Sequence, residues 1–153
     1  MTGLPNRLLF NDRLNQAIGL AKRDSRQFAL LYLDLDRFKP VNDEVGHAVG
    51  DELLVRVAAR LRRQVRDSDT VARVGGDEFA VILVDIGKLE NAQIVARKIE
   101  VALAAPFQLD GRKRRADIGT SVGIALFPTE ARDAETLIKL ADAAMYRAKQ
   151  ARK

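Results

Sequence analysis

The 153-residue chain has no cysteine, one histidine and only 5% aromatic residues. Without cysteine there can be no disulfide and no thiolate metal site, although this alone does not identify a compartment. His47 by itself cannot build a zinc centre. No apolar run reaches the length of a membrane span, and the first residues lack the charged-then-apolar layout of a signal peptide. The expectation is a cytoplasmic domain with no direct membrane insertion. No internal repeat, low-complexity tract or linker interrupts the chain, whose length suits one domain with a real core. Aromatics are not interleaved with the basic residues, which speaks against a single-stranded nucleic-acid platform.

Hydrophobic residues at 47% and charged residues at 31% are those of an ordinary globular protein. An excess of 26 Lys+Arg over 21 Asp+Glu leaves a net charge of +5, which suits an anionic partner. The excess gathers in Arg112-Lys113-Arg114-Arg115, after the turn residues Asp110-Gly111, and in Arg147, Lys149, Arg152 and Lys153 near the C-terminus. A basic run is commonly a solvated face. With stacking aromatics absent, an anionic small molecule fits better than a nucleic acid.

Helical spacing marks four segments. Phe10, Leu14, Ala17, Ile18 and Ala21 define the first, and Leu53, Leu54, Val57, Ala58, Leu61 and Val65 the second. Leu89, Ala92, Ala96, Ile99 and Leu103 define the third; Leu137, Leu140, Ala141, Ala144, Met145 and Ala148 define the fourth, with Asp133 as its N-cap. Strand-like runs occupy 28–35, 70–74, 79–84, 107–109 and 115–126. The order α-β-α-β-β-α-β-β-α predicts an α/β domain (an α+β sandwich), its central, largely antiparallel five-stranded sheet flanked by helices.

Two acidic sites stand out. Phe28 to Leu33 reads as a buried central strand, and the two-residue period turns Asp34 and Asp36 to one face at its end. Acids there need a cation, because burying an unpaired carboxylate costs several kcal/mol. Arg37 and Lys39 could serve as counter-ions. A hard divalent metal is the alternative, since Mg²⁺ takes one or two carboxylates and completes its shell with water and phosphate oxygens. The second site is Gly75-Gly76-Asp77-Glu78-Phe79, a double glycine between two apolar runs that reads as a hairpin with both acids at an accessible tip. A simple solvated turn would look the same. Between the two sites, the polar stretch 42–51 reads as a loop in which Asp51 is either an N-cap or first-turn acid, or, with Asn42, a reader of guanine.

In order and spacing, several motifs then coincide: Thr2-Gly3-Leu4-Pro5-Asn6-Arg7, Asp34-Leu35-Asp36-Arg37-Phe38-Lys39, Asn42-Asp43, Gly46-His47, Gly50-Asp51, Arg73-Val74-Gly75-Gly76-Asp77-Glu78-Phe79, Ser121-Val122-Gly123-Ile124-Ala125, and Ala141-Asp142-Ala143-Ala144-Met145-Tyr146 with Ala148-Lys149. Over almost its whole length the chain resembles a GGDEF domain, the catalytic domain of bacterial diguanylate cyclases. The resemblance implies a nucleotidyl-cyclase or palm-like sheet with a small β-hairpin, and condensation of two GTP into cyclic di-GMP with release of two pyrophosphates. It further implies Mg²⁺ or Mn²⁺ held by Asp34, the Leu35 carbonyl and Asp77, with Glu78 sharing that work. Asn42 and Asp51 would read guanine, with His47 beside the nucleotide. Phe38 and Lys39 would lie over the phosphates, Lys39 neutralising charge in the transition state. Lys149 would grip the terminal phosphates, and Gly75 and Gly76 would let them pass close to the backbone. Asp77, preferred to Glu78, would accept the proton of the attacking 3′-hydroxyl.

The resemblance also implies a two-fold homodimer with one GTP per half-site, and product inhibition through Arg66 and Asp69 of an Arg-x-x-Asp motif. There are departures from the family pattern. The Asp-x-Leu that usually precedes the first motif is missing, and Arg152 stands where the family has a glycine, so that Arg152 or Lys153 would have to supply a second phosphate contact. Residues 1–153 are accordingly expected to be a single catalytic domain from a longer signalling protein, with a sensory domain upstream. The alternative is a non-catalytic receptor for GTP or cyclic di-GMP.

Overall fold

The computed structural model describes residues 2–151. Helix α1 (Arg7–Asp24) opens at Asn6, whose side chain accepts from the Leu9 amide at 3.0 Å. It closes at Ser25, in the left-handed region, with Lys22 and Arg23 on its negative end. Strand β1 (Phe28–Asp36) follows; then come α2 (Phe38–Val45), α3 (His47–Arg63), β2 (Thr70–Arg73), β3 (Glu78–Leu83), α4 (Leu89–Ala104), β4 (Phe107–Leu109), β5 (Arg114–Ala116), β6 (Gly119–Phe127) and α5 (Ala134–Ala151). Asp133 caps α5 as expected, accepting from the Thr136 amide and hydroxyl.

The main sheet is antiparallel, in the order β2-β3-β1-β6. As a central strand buried on both faces, β1 divides two cores. Ala29, Leu31, Leu33 and Leu35 meet α3, α4 and the β4–β5 hairpin, whereas Phe28, Leu30 and Tyr32 meet α1 and α5. Each fully buried large side chain contributes roughly 1.5–3 kcal/mol, and the two cores clamp the sheet from both sides. By the same alternation Asp34 and Asp36 continue the α1/α5 face.

Three expectations are corrected. The sheet has four strands plus a two-stranded hairpin, not five. The run 115–126 is divided: Arg114–Ala116 pairs with β4, Ala116 and Ile118 turn into the α3/α4 core, and only Gly119–Phe127 joins the sheet. Second, the stretch 42–51 is helical. It comprises the end of α2 and the start of α3, separated by Gly46 at φ 88°. At eight residues with a proline inside, α2 is too short for its apolar positions, Phe38, Val41 and Val45, to stand out as a helical period in the sequence. Pro40 is tolerated in its first turn, where amides lack intrahelical partners. Third, Asp51 is not an N-cap, since α3 already begins at His47.

One arginine knits the α3/α4 layer. Arg60 donates to the Ala102, Ala105 and Pro106 carbonyls at 2.9, 2.6 and 2.6 Å, and lies 3.5 Å from the centroid of the Phe107 ring. It thereby satisfies carbonyls that the end of α4 leaves without intrahelical donors. Among the described residues no helix is long and apolar enough to cross a membrane.

Candidate functional site

The chemistry-bearing residues collect where β1 ends. Asp34 lies opposite Glu78 on one neighbouring strand and opposite Ser121 on the other. The 74–77 turn is tied to β1 by the Leu35 amide, which donates to the Asp77 carbonyl at 3.1 Å, while Val74 and Gly75 donate to the Glu78 carbonyl. Arg73 clamps the turn from outside: its guanidinium donates to the Gly75 and Gly76 carbonyls at 2.8–3.1 Å. That role was not foreseen for Arg73, although it stands within the motif.

Neither Gly75 nor Gly76 has a positive φ. Their value is space. A Cβ on Gly75 would lie 3.2–3.3 Å from the Glu78 side chain, while nothing stands within 4 Å of one built on Gly76. The exposed backbone at Gly76 is therefore open to close approach by another group.

Asp34 is mostly buried, its side chain 13% exposed, and its Oδ2 accepts from Lys149 Nζ at 2.7 Å. The counter-ion therefore comes from the last turns of α5 and not from Arg37 or Lys39, which are exposed. The other oxygen, Asp34 Oδ1, is buried without a hydrogen-bond partner. Asp77 lies near enough to Asp34 for the two carboxylates to repel each other. Burial first, and then repulsion from Asp34, raises the Asp77 pKa. Glu78 is raised too, by burial and then by Asp34, Asp142 and Asp77, with Arg7 opposing. Lys149 is held above its usual value chiefly by its hydrogen bond to Asp34. Asp36 receives the Ser121 hydroxyl at 3.0 and 3.1 Å.

These donors fit a hard divalent cation. A buried carboxylate oxygen without a donor stands beside a second carboxylate, and every ligating atom on offer is oxygen. Among the described residues no three acidic or histidine side chains are gathered as a complete metal cage. The protein thus supplies a partial shell, of the kind Mg²⁺ completes with water and substrate phosphates. Leu35 points its side chain into the α3/α4 core, leaving only its backbone for the site.

A second group sits at the α2–α3 junction, which follows β1 directly. Asn42 Nδ2 lies 3.4 Å from His47 Nδ1. Asn42 reaches this position because residue 50 is glycine: a Cβ there would stand 1.6 Å from Asn42 Oδ1. Asp51, exposed, is the next residue. In the first turn of α2, Phe38 is half-buried against the α3/α4 core and Lys39 is exposed. Arg152 and Lys153 lie outside the described residues.

Arg66 and Asp69 form a closed motif. The Asp69 side chain is 2% exposed, and its oxygens accept from the Arg66 and Val84 amides at 2.9 and 3.0 Å. Arg66 is exposed and donates to the Val84 carbonyl. In this conformation Asp69 is therefore occupied in holding the 66–69 turn against the end of β3, and the open hydrogen-bonding surface belongs to Arg66.

Sequence reasoning also missed Arg7, Tyr32 and Asp142. The buried Tyr32 hydroxyl stands near Arg7, and Arg7, Glu78 and Asp142 all act on it electrostatically. Arg7 and Asp142 stood in recognised motifs, but their only signal was charge, which does not say what it faces.

A family profile described as "Diguanylate cyclase, GGDEF domain" matches residues 1–153. The bifunctional diguanylate cyclase/cyclic di-GMP phosphodiesterase MucR of Pseudomonas aeruginosa is 48% identical over 97% of this chain and 21% of its own length. The diguanylate cyclase TpbB of the same species is 46% identical over 98% of this chain and 34% of its own. The crystal structure of the TpbB GGDEF domain superposes with a TM-score of 0.94 at 43% identity, covering 98% of this chain and 92% of that one. The GGDEF domain of DgcB from Caulobacter crescentus, solved in complex with c-di-GMP, gives a TM-score of 0.86 at 30% identity, covering 97% of this chain and 86% of that one. The chain spans about a fifth to a third of the length of the curated relatives it matches.

Proposed function

The chain belongs to the GGDEF family of diguanylate cyclase domains, and from that premise we propose that it is an active, metal-dependent cyclase domain of a longer cytoplasmic signalling protein with a sensory domain upstream. Two GTP condense to cyclic di-GMP at the interface of a two-fold homodimer. The observation that carries this reading is the buried, donorless Oδ1 of Asp34, a carboxylate that neighbours Asp77, with the open backbone of Gly76 in the adjoining turn. The intact motif Gly75-Gly76-Asp77-Glu78-Phe79 favours turnover over a receptor.

Asp34, Asp77, Glu78 and the Leu35 carbonyl are the residues that would hold Mg²⁺ or Mn²⁺. Bound there, the ion would supply charge stabilisation on the phosphates and acidify the attacking hydroxyl. The chain's own residues do the rest. Asn42 and Asp51 hold the guanine edge, with His47 beside Asn42. Gly75 and Gly76 let the triphosphate lie against the turn, under Lys39 and Phe38, and Lys149 takes the terminal phosphates. In each half-reaction a bond forms between the 3′-oxygen of one GTP and the α-phosphorus of the other. The bond from that phosphorus to the bridging oxygen breaks, and pyrophosphate leaves with the electron pair. The proton released goes to Asp77, the carboxylate at the tip of the turn beside Asp34. Glu78, the next residue, is the alternative acceptor. Product binds at Arg66, with Asp69 shaping the turn, and damps turnover.

Incubation of concentrated, nucleotide-free protein with GTP and Mg²⁺, followed by product chromatography, tests the reading. Cyclic di-GMP is expected, and more of it when dimerisation is forced by fusion. Saturable GTP binding without product, even in the forced dimer, would mean a receptor instead.

A further inference from the structure

We propose that Lys149 is the resident cation of the nucleotide-free carboxylate site: its ammonium holds Asp34 where a divalent ion would stand, so that metal loads together with a triphosphate that draws Lys149 away. This rests on the cyclase reading above and adds an order of events to it.

A carboxylate as buried as Asp34 needs a positive partner to stay ionised. Among the described residues its ion pair is with Lys149, at 2.7 Å, although Arg37 and Lys39 are far nearer in sequence. The pairing is built into the fold. Asp34 and Tyr32 are successive residues on the α1/α5 face of β1, and Tyr32 lies opposite Gly123 on β6. Gly123 lets α5 lie directly on the sheet, since a Cβ there would stand 2.1 Å from the Met145 nitrogen. Lys149 is one helical turn beyond Met145 on the same side of α5 and so reaches over the end of β1. Asp34, Asp36 and Asp77 all favour its ammonium form.

The lysine is an incomplete substitute. It satisfies Asp34 Oδ2 and leaves Oδ1 without a donor, whereas a divalent ion between Asp34 and Asp77 could engage both carboxylates. A single ammonium also cannot serve Asp34 and a triphosphate in full at the same time. When phosphates take Lys149, Asp34 and Asp77 are left as neighbouring negative charges, and their affinity for a divalent cation rises. Metal and nucleotide are then positively coupled, and by linkage each strengthens the other equally.

The test uses the 153-residue chain and reads binding rather than turnover. Mn²⁺ is titrated into nucleotide-free protein and the free ion followed by electron paramagnetic resonance. Lys149→Met should bind Mn²⁺ about fivefold or more tighter than the unmodified chain, the low end of typical coupling between linked sites. Lys149→Arg, which keeps the charge, should not. In the reciprocal arm Asp34→Asn releases Lys149, and affinity for a fluorescent GTP analogue in chelator should rise by a similar factor. Adding Lys149→Met to Asp34→Asn should remove the gain. Mn²⁺ affinity unchanged or weakened in Lys149→Met overturns the proposal, as does an Asp34→Asn chain that gains nothing for GTP in chelator. If Lys149→Met does not fold, the Asp34→Asn arm decides. Failure of the cyclase reading itself would show separately, as an unmodified chain that does not bind GTP even with Mg²⁺.

Discussion

Gly123 and Met145 are in backbone contact: a Cβ on Gly123 would stand 2.1 Å from the Met145 nitrogen and 2.2 Å from the Ala141 carbonyl oxygen. Both obstructing atoms are backbone, so neither can swing aside. Gly123→Ala should lift α5 from the sheet, destabilise the domain by about 1–3 kcal/mol and carry Lys149 away from Asp34. Urea denaturation would give the first effect, and loss of GTP affinity the second. Unchanged stability would mean that α5 is not fixed by this contact.

Asp77 should make stability depend on pH in the metal-free protein. Its pKa is raised in the native state, so as pH rises from acid the unfolded chain loses this proton first. The native state then holds more protons than the unfolded one, and stability falls through the window between the ordinary aspartate pKa and the raised one. Asp77→Asn removes that decline. Melting temperatures in chelator should agree at about pH 3, below both pKa values, and separate toward neutrality with the asparagine chain higher, by a few degrees at most. Parallel curves would show that Asp77 is not strained by its neighbours.

Gly50→Ala separates recognition from folding. Alanine is favoured over glycine in a helix by roughly 0.8–1 kcal/mol, and the atom in its way is the movable end of the Asn42 side chain. Stability should hardly change, while Asn42 is pushed from its place beside His47. Discrimination of GTP against ATP should fall about tenfold or more, as measured by competition for a fluorescent nucleotide. Intact discrimination would remove Asn42 from the base-reading group.

Arg66 and Asp69 should behave differently despite sharing a motif. Asp69→Ala leaves the Arg66 and Val84 amides without their acceptor and should cost about 1–3 kcal/mol of stability. Arg66→Ala should change stability by about 1 kcal/mol or less, spare turnover at low product, and weaken cyclic di-GMP binding about tenfold or more. Calorimetry with cyclic di-GMP and thermal melts on both variants would show the split; product affinity unchanged in Arg66→Ala would move the inhibitory site elsewhere.

Much of this was legible before any coordinates. The buried run of β1, the periodic stripes of α1, α3, α4 and α5, and the turn at 74–77 follow from residue type and spacing. Helix α2 did not show, because its eight residues hold only three apolar positions, Phe38, Val41 and Val45, around a proline, too few to establish a helical period. The 115–126 run was read as one strand although Asp117 and Gly119, both disfavoured in strands, stand where β5 ends and β6 begins. Glycines 75 and 76 were read both for a left-handed turn and for close approach to the backbone; neither has a positive φ, and the backbone at Gly76 is open.

By itself, then, the sequence determined which chemistry the chain carries: two acidic sites, a basic surplus suited to an anionic ligand, and motifs in the order of one family. Those are properties of residue identity and local period. Tertiary structure decided which charges meet. Arg37 and Lys39 stand beside Asp34 in the chain, yet its partner is Lys149, 115 residues away, because α5 packs on β6 at Gly123 and ends over the carboxylates. Sequence distance does not set electrostatic energy; separation and burial do, and both exist only once the helix has docked.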